Sequence, residues 1–176
     1  LVLGVIGAGA MGAGIAQVAA AGGIDVLLFD SHDGAAAKAI EGIAGALAKR
    51  VAAGKMPEQD LGQLIARIRP AKAIGDFAPC DVVVEAIVED LAVKQAVFRE
   101  LEGIVGAETM LTSNTSSLPI GAIAVVLENP ARMAGLHFFN PVPVMKLVEI
   151  VPGPDTTEDI LQALHVLSGR LGRTPV

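Results

Sequence analysis

Apolar residues of this chain cluster in short continuous runs that are separated by longer stretches of mixed polarity. Short apolar runs bounded by turn residues are typical of buried parallel strands. The pattern predicts strands over residues 1–6, 25–29, 68–74, 81–85, 109–112, 132–138 and 146–151. Residues 172–176 resemble the start of one more strand. Because proline has no backbone N–H, Pro70 restricts the third strand to an edge or a bulge of the sheet.

The stretches between the strands have helical composition. They predict helices over residues 11–21, 35–53, 57–67, 91–101 and 156–171. In the fourth of these helices one apolar face is formed by Leu91, Val93, Val97, Phe98 and Leu101. Strands that alternate with helices predict an α/β fold, a Rossmann-like doubly wound and mostly parallel sheet with helices on both faces.

Composition narrows the class of protein. A length of 176 residues suits a single domain, and 52% apolar residues supply its core. A net charge of −6 argues against a nucleic-acid partner. A single cysteine, Cys80, rules out a disulfide within the chain and favours a reducing, cytoplasmic location, and we expect it to pack in the core. No segment is long and apolar enough to predict a membrane span, and no metal site is predicted.

A glycine-rich loop joins the first strand to the first helix. Its residues are Gly7, Ala8, Gly9, Ala10, Met11 and Gly12. The three glycines allow a tight turn, close approach of a pyrophosphate and close packing of the helix, whose N-terminus attracts phosphates. Asp30 ends the second strand, where a carboxylate binds the adenosine ribose and repels a 2′-phosphate, so the sequence predicts NAD rather than NADP. The alternative is a glycine-rich turn that binds no ligand.

Polar residues follow the next strands in the same way. Glu85, Glu89 and Lys94 lie after the strand over 81–85, where open sheets bind ligands, although an ordinary strand-to-helix cap has the same composition. Residues 113–117, Ser-Asn-Thr-Ser-Ser, suit either a hydrogen-bonding cradle or a cap for a helix that begins near Pro119.

A histidine and an acid on neighbouring strands predict a general base. His137 lies near the carboxyl end of its strand, before the turn at Asn140-Pro141, and Glu149 lies among apolar residues of the next strand. A buried carboxylate needs a partner, and a paired acid fixes the tautomer of an imidazole and raises its basicity. The alternative is a histidine that only packs in the core. His32 and His165 lack this setting; we expect them in a loop and on a helix face.

A small basic group marks the end of the helix over 35–53. Lys49, Arg50 and Lys55 could contact a phosphorylated ligand, or they could belong to a solvated helix end.

Taken together, these segments resemble the 3-hydroxyacyl-CoA dehydrogenase family over essentially the whole chain. The resemblance rests on residues 7–16, on residues 85–89 with Lys94, on residues 113–118 and on residues 135–149. It implies oxidation of an L-3-hydroxyacyl-CoA to the 3-ketoacyl-CoA with NAD as the cofactor.

The resemblance also implies roles for matching residues. His137 corresponds to the catalytic base, Glu149 to its orienting acid and Ser116 to the hydroxyl that binds the substrate oxygen. Contacts to the nicotinamide and its ribose are implied for Asn140, Glu89, Lys94 and Ser116, and a contact to the adenosine ribose for Asp30. Substrate contacts are implied for Asn114 and approximately for Lys55, whereas Ala46 stands where some members have a serine that touches coenzyme A.

Beyond these residues the family continues into an all-helical domain. That domain supplies a further active-site asparagine, a wall of the acyl pocket and the dimer interface. We therefore expect residues 1–176 to be the NAD-binding domain, able to bind NAD with little turnover alone, and to form a homodimer only together with the helical domain. Two other functions stay open: a non-catalytic NAD-binding structural protein, as among lens crystallins, and a hydroxyacid or imine reductase on the same scaffold.

Overall fold

The computed structural model describes all 176 residues. They form one sheet of eight strands in the order β3-β2-β1-β4-β5-β6-β7-β8. The strands are β1 (Val2–Ile6), β2 (Asp25–Phe29), β3 (Ile68–Pro70), β4 (Val82–Glu85), β5 (Met110–Ser113), β6 (Met133–Phe138), β7 (Leu147–Pro152) and β8 (Thr174–Pro175). All neighbouring strands are parallel except β6 and β7, which are antiparallel. The predicted Rossmann-like, mostly parallel sheet is confirmed.

Helices cover both faces of this sheet. They are α1 (Ala10–Ala21), α2 (Ala35–Ala52), α3 (Glu58–Ala66), α4 (Leu91–Glu102), α5 (Ile120–Ala124) and α6 (Glu158–Arg170). Side chains of α1, α2, α3 and α6 share one apolar core, and those of α4 and α5 share a second core on the opposite face. Strand β4 contributes side chains to both cores, because Val82 and Val84 pack in the first core and Val83 packs in the second. None of the helices has the length and apolarity that a bilayer span requires.

Three details differ from the pattern-based expectation. The third strand is shorter than residues 68–74: it ends at Pro70, and a 3₁₀ turn follows at Ile74–Phe77. Pro70 does lie on the edge strand, as its missing N–H requires. On α4 the core face contains Lys94, Phe98 and Leu101, whereas Val93 is 42% exposed, so its assignment to the core face was wrong. The short helix α5 was not among the predicted helices and was indicated only by the alternative in which residues 113–117 cap a helix near Pro119.

The sheet topology places the predicted site residues at one edge. Ile6, Glu85 and Ser113 are partners across β1, β4 and β5, and each lies at the carboxyl end of its strand. His137 lies near the same end of β6, beyond Gly135, the partner of Ser113. Ligands of open α/β sheets bind outside these carboxyl ends.

Candidate functional site

The loop between β1 and α1 has the backbone geometry that its glycines permit. Gly7 has φ +101°, and a Cβ there would lie 2.4 Å from the Ala86 carbonyl oxygen. At Gly12 a Cβ would lie 1.7 Å from the Gly7 carbonyl oxygen, so no side chain fits without moving the loop. In contrast, a Cβ on Gly9 would meet nothing within 4 Å. Gly7 and Gly12 therefore shape the turn, and Gly9 leaves its outer surface open to a ligand.

Asp30 connects this loop to the second strand. One carboxylate oxygen accepts the Ala8 N–H at 2.8 Å, and the other accepts the His32 N–H at 2.9 Å and contacts His32 Nδ1 at 3.0 Å. Burial raises the pKa of Asp30, but these hydrogen bonds and the nearby imidazole outweigh burial and hold the pKa below its ordinary value. Asp30 is thus a carboxylate at neutral pH that also fixes the glycine loop.

Two cavities lie on either side of the strand end at Ala86 and Ile87, which line both. The first, of about 340 Å³, contains the predicted polar residues of the site; its lining includes Met11, Glu89, Lys94, Asn114, Ser116, His137 and Asn140. The second, of about 670 Å³, is lined by Gly7, Gly9, Asp30 and His32. A dinucleotide has two halves joined at a pyrophosphate, and this pair of cavities flanking a glycine loop matches that shape.

His137 and Glu149 form a direct pair. They are register partners on antiparallel β6 and β7, and His137 Nδ1 donates to Glu149 Oε2 at 2.7 Å. The His137 side chain is 17% exposed, and its ring lies 4.6 Å from the ring of Phe139. With Nδ1 engaged by the carboxylate, Nε2 is the nitrogen available to accept a proton.

Residues 113–117 line part of the first cavity and also form hydrogen bonds that hold neighbouring segments in place. Ser116 is exposed on the cavity lining, while Asn114 Oδ1 accepts the Phe138 N–H at 2.8 Å and so holds the end of β6 beside β5. Thr115 Oγ1 accepts the Leu118 N–H at 3.0 Å. The segment is therefore more than a cap for α5, whose N-terminal flanking residue is Pro119.

A buried polar network lies beneath the cavity. Glu85 is 0% exposed and Lys94 is 1% exposed, and their side chains meet at 2.6 Å. Ser113 Oγ donates to the second oxygen of Glu85 at 2.6 Å, and the Ile87 N–H donates to the first at 2.7 Å. Neither buried charge is left unpaired, which a low-dielectric interior requires. The size of this network was not predicted, because its partners come from separate strands.

Glu89 joins the network to the cavity. Its carboxylate contacts Lys94 at 3.3 Å and accepts hydrogen bonds from Thr115 and from Ser117 at 3.2 Å. Burial raises the pKa of Glu89, but these hydroxyls and the ammonium group outweigh burial and lower the pKa below its ordinary value. The structure thus brings Glu89 and Lys94 to one wall of the cavity as a charged pair.

Other predicted residues lie elsewhere. Lys55 is exposed in the turn after α2 and lines neither of the two cavities, so the structure does not bring it to the other site residues. His165 is exposed on α6, as expected, and Cys80 is 4% exposed in the core. His32 is exposed in a loop, yet its contact with Asp30 was not predicted. The described residues contain no group of three or more His, Cys, Asp or Glu side chains that could hold a metal ion.

The residues present fit a dinucleotide. The open Gly9 surface lies at the N-terminus of α1, whose first N–H groups have no partner within the helix and favour phosphate. The ionised Asp30 lines the larger cavity, where it can accept hydrogen bonds from ribose hydroxyls.

Comparison with known proteins gives a family for the chain. A family model described as "3-hydroxyacyl-CoA dehydrogenase, NAD binding domain" matches residues 2–176. The 3-hydroxyadipyl-CoA dehydrogenase of Escherichia coli is 46% identical over 172 residues, which are 98% of this chain and 36% of that protein. A probable 3-hydroxybutyryl-CoA dehydrogenase of Deinococcus radiodurans is 44% identical over 176 residues, 98% of this chain and 62% of that protein.

The fold of this chain also matches a solved structure over nearly its whole length. The crystal structure of a 3-hydroxybutyryl-CoA dehydrogenase from Escherichia coli superposes with a TM-score of 0.97 at 46% identity, over 99% of this chain and 37% of the other. This chain therefore spans only part of the length of the relatives that it matches, about a third in one case and three fifths in another.

Proposed function

The chain belongs to the 3-hydroxyacyl-CoA dehydrogenase family, and on that premise we propose that the whole protein oxidises an L-3-hydroxyacyl-CoA to the 3-ketoacyl-CoA with NAD⁺. The observation that carries the proposal is the His137–Glu149 pair, whose imidazole lines a cavity beside the glycine loop of an NAD-binding domain. A site that only bound NAD would not need an imidazole oriented by a carboxylate.

In this proposal His137 acts as the general base. Its Nε2 removes the proton of the 3-hydroxyl, while Nδ1–H stays hydrogen-bonded to Glu149 at 2.7 Å. Glu149 holds the ring in one orientation and stabilises the imidazolium that forms. Bound NAD⁺ supplies the acceptor for the hydride that leaves C3.

Ser116 binds the reacting oxygen of the substrate. Its hydroxyl lies on the lining of the cavity that also contains His137, so it can donate to that oxygen as the carbonyl forms. Asn114 contributes to substrate binding mainly by holding β6, because its Oδ1 already accepts the Phe138 N–H. A contact of Lys55 with the substrate gains no support from its position after α2.

The chain residues that would hold NAD are those around the two cavities. The loop over 7–12 would bind the pyrophosphate, Asp30 the adenosine ribose, and Glu89, Lys94, Ser116 and Asn140 the nicotinamide ribose and ring. Because the relatives extend well beyond the matched region, we further propose that residues 1–176 alone bind NAD but turn over acyl-CoA slowly, and that pairing into homodimers needs the remainder of the protein.

A spectrophotometric assay tests the proposal. Acetoacetyl-CoA and NADH are incubated with the natural protein that contains this chain and, separately, with residues 1–176. We expect NADH oxidation at enzymatic rates by the former and NAD binding with slow turnover by the latter. Absence of turnover by the natural protein would refute the reaction, and equal rates for both would refute the statement about the 176 residues alone.

A further inference from the structure

Arg173 is a buried arginine without an acidic partner. It is 7% exposed and takes part in none of the ion pairs of the molecule. Nη1 donates to the Gly172 carbonyl at 3.0 Å and Nη2 to the Val142 carbonyl at 2.9 Å, whereas Nε is buried with no hydrogen-bond partner. Burial lowers the pKa of Arg173 from its ordinary value.

Stability alone does not account for this arginine. A buried charge without a counter-charge costs free energy, as does a buried N–H without an acceptor. Even buried ion pairs can often be replaced by apolar side chains of similar volume with no loss of stability or with a gain. The role of Arg173 therefore lies in the segments that its two hydrogen bonds hold in place.

One of these bonds reaches the turn that follows His137. Val142 is 2% exposed and comes directly after Asn140 and Pro141. Its side chain packs on α1 at Gly14, where a Cβ would lie 2.7 Å from Val142 Cβ. The turn is thus held between the helix that carries the glycine loop and the guanidinium of Arg173.

The segment that begins with Arg173 also supports the strand that carries Glu149. The Val176 N–H donates to the Val148 carbonyl at 3.0 Å, and the Ile150 N–H donates to the Val176 carbonyl at 2.8 Å, so these two bonds bracket Glu149. The Thr174 N–H donates to the Lys146 carbonyl at 2.7 Å. Residues 173–176 therefore touch both the turn after His137 and the strand of its acid.

We propose that Arg173 is a positioning residue of the site: its guanidinium fixes the turn over 140–142 relative to α1 and aligns His137 and Asn140 with the strand of Glu149. Arg173 does not touch the substrate or the cofactor itself. The inference rests on the proposed function, because it assigns a role in the same reaction.

The test is the variant Arg173→Met in the natural protein that contains this chain, assayed with acetoacetyl-CoA and NADH. We expect kcat to fall roughly 10- to 100-fold, because small displacements of reacting groups have effects of that order. The KM for NADH should change much less than kcat, since the glycine loop and Asp30 are untouched and only Asn140 of the proposed NAD contacts lies in the turn. The melting temperature should change little, because the removal of a buried charge offsets the loss of two hydrogen bonds.

Arg170→Met is the matched control. Arg170 is exposed and its guanidinium contacts the Gly22 and Gly23 carbonyls at 3.3 and 3.2 Å, away from the turn, so this variant should keep the wild-type kcat. Arg173→Lys keeps the charge but lacks the forked guanidinium, so it should retain one of the two carbonyl contacts and lose only roughly 3- to 10-fold in kcat, as expected for one hydrogen bond. If Arg173→Met does not fold, Arg173→Lys decides the question: a reduced kcat at an unchanged melting temperature supports the proposal, and a wild-type kcat overturns it.

The remaining outcomes separate the two proposals. A wild-type kcat in Arg173→Met beside an active wild-type protein would overturn the role of Arg173 alone. A wild-type protein without turnover would overturn the proposed reaction and this inference with it.

Discussion

His137 and Glu149 face each other across the antiparallel strands β6 and β7, and their side chains are 2.7 Å apart. The pairing depends on register, because partners in an antiparallel pair present their side chains on the same face. A shift of one residue in either strand would separate the two groups. The proposed base and its orienting acid are thus held by the sheet itself.

The variant Glu149→Gln tests this pairing. Glutamine keeps the size of the side chain but removes the negative charge that stabilises an imidazolium, so we expect kcat to fall less than on loss of His137. Steady-state measurement of kcat with acetoacetyl-CoA and NADH checks this loss. Glu158→Gln, at an exposed position of α6, serves as the control, and a wild-type kcat in Glu149→Gln would refute the pairing.

Asp30 should determine the choice between NAD and NADP. In the variant Asp30→Asn the carboxylate that accepts ribose hydroxyls is lost, so NAD affinity should fall roughly 10- to 100-fold, the range expected for hydrogen bonds to a charged group. Repulsion of a 2′-phosphate is lost as well, and the preference for NAD over NADP should shrink. Calorimetric titration with both dinucleotides measures this change. Asp33→Asn, an exposed neighbour, should bind as wild type does; an unaltered preference in Asp30→Asn would contradict the assignment.

The same carboxylate should make stability depend on pH. The pKa of Asp30 in the folded protein lies below its ordinary value of 3.8, so its ionised form stabilises the fold above that value. This contribution is lost as pH falls through the folded-state pKa. Urea unfolding of wild type and Asp30→Asn should therefore differ most above about pH 5 and converge in stronger acid. A difference that grew as the pH fell would contradict the hydrogen bonds to Ala8 and His32.

Cys80 should be unreactive in the folded protein. The thiol is 4% exposed, and burial, followed by the nearby Asp81 carboxylate, raises its pKa to about 12. Almost none of it is therefore thiolate at neutral pH, and alkylating reagents need the thiolate. Mass spectrometry should detect no adduct after treatment with iodoacetamide under native conditions and a single adduct in denaturant. Rapid modification of the native protein would show that the site opens.

Much of this architecture was predictable because the signals were local. Apolar runs and capping residues indicated the strands and helices to within a few residues, and the glycines of the loop over 7–12 indicated its shape. On α4 only Val93 was placed wrongly, because hydropathy alone favours burial of a valine over burial of a neighbouring lysine. Lys94 is buried because Glu85, on another strand, pairs with it at 2.6 Å.

Contacts between distant segments could not be predicted in this way. Arg173 bonds to Val142 across 31 positions of sequence, and Ser113 bonds to Glu85 across 28. Nothing in the residues near Arg173 or Ser113 indicates these partners, since only the order of strands in the sheet brings them together. The pairing of His137 with Glu149 was accessible because the two lie on consecutive strands.

The variant His137→Gln tests the central claim most directly. In the natural protein that contains this chain, assayed with acetoacetyl-CoA and NADH, kcat should fall at least roughly 10²-fold, because general-base catalysis contributes about 10²–10⁴-fold. Binding of NAD should stay near the wild-type value, and His165→Gln, at an exposed position of α6, should keep full activity. A kcat close to that of wild type in His137→Gln would contradict the account.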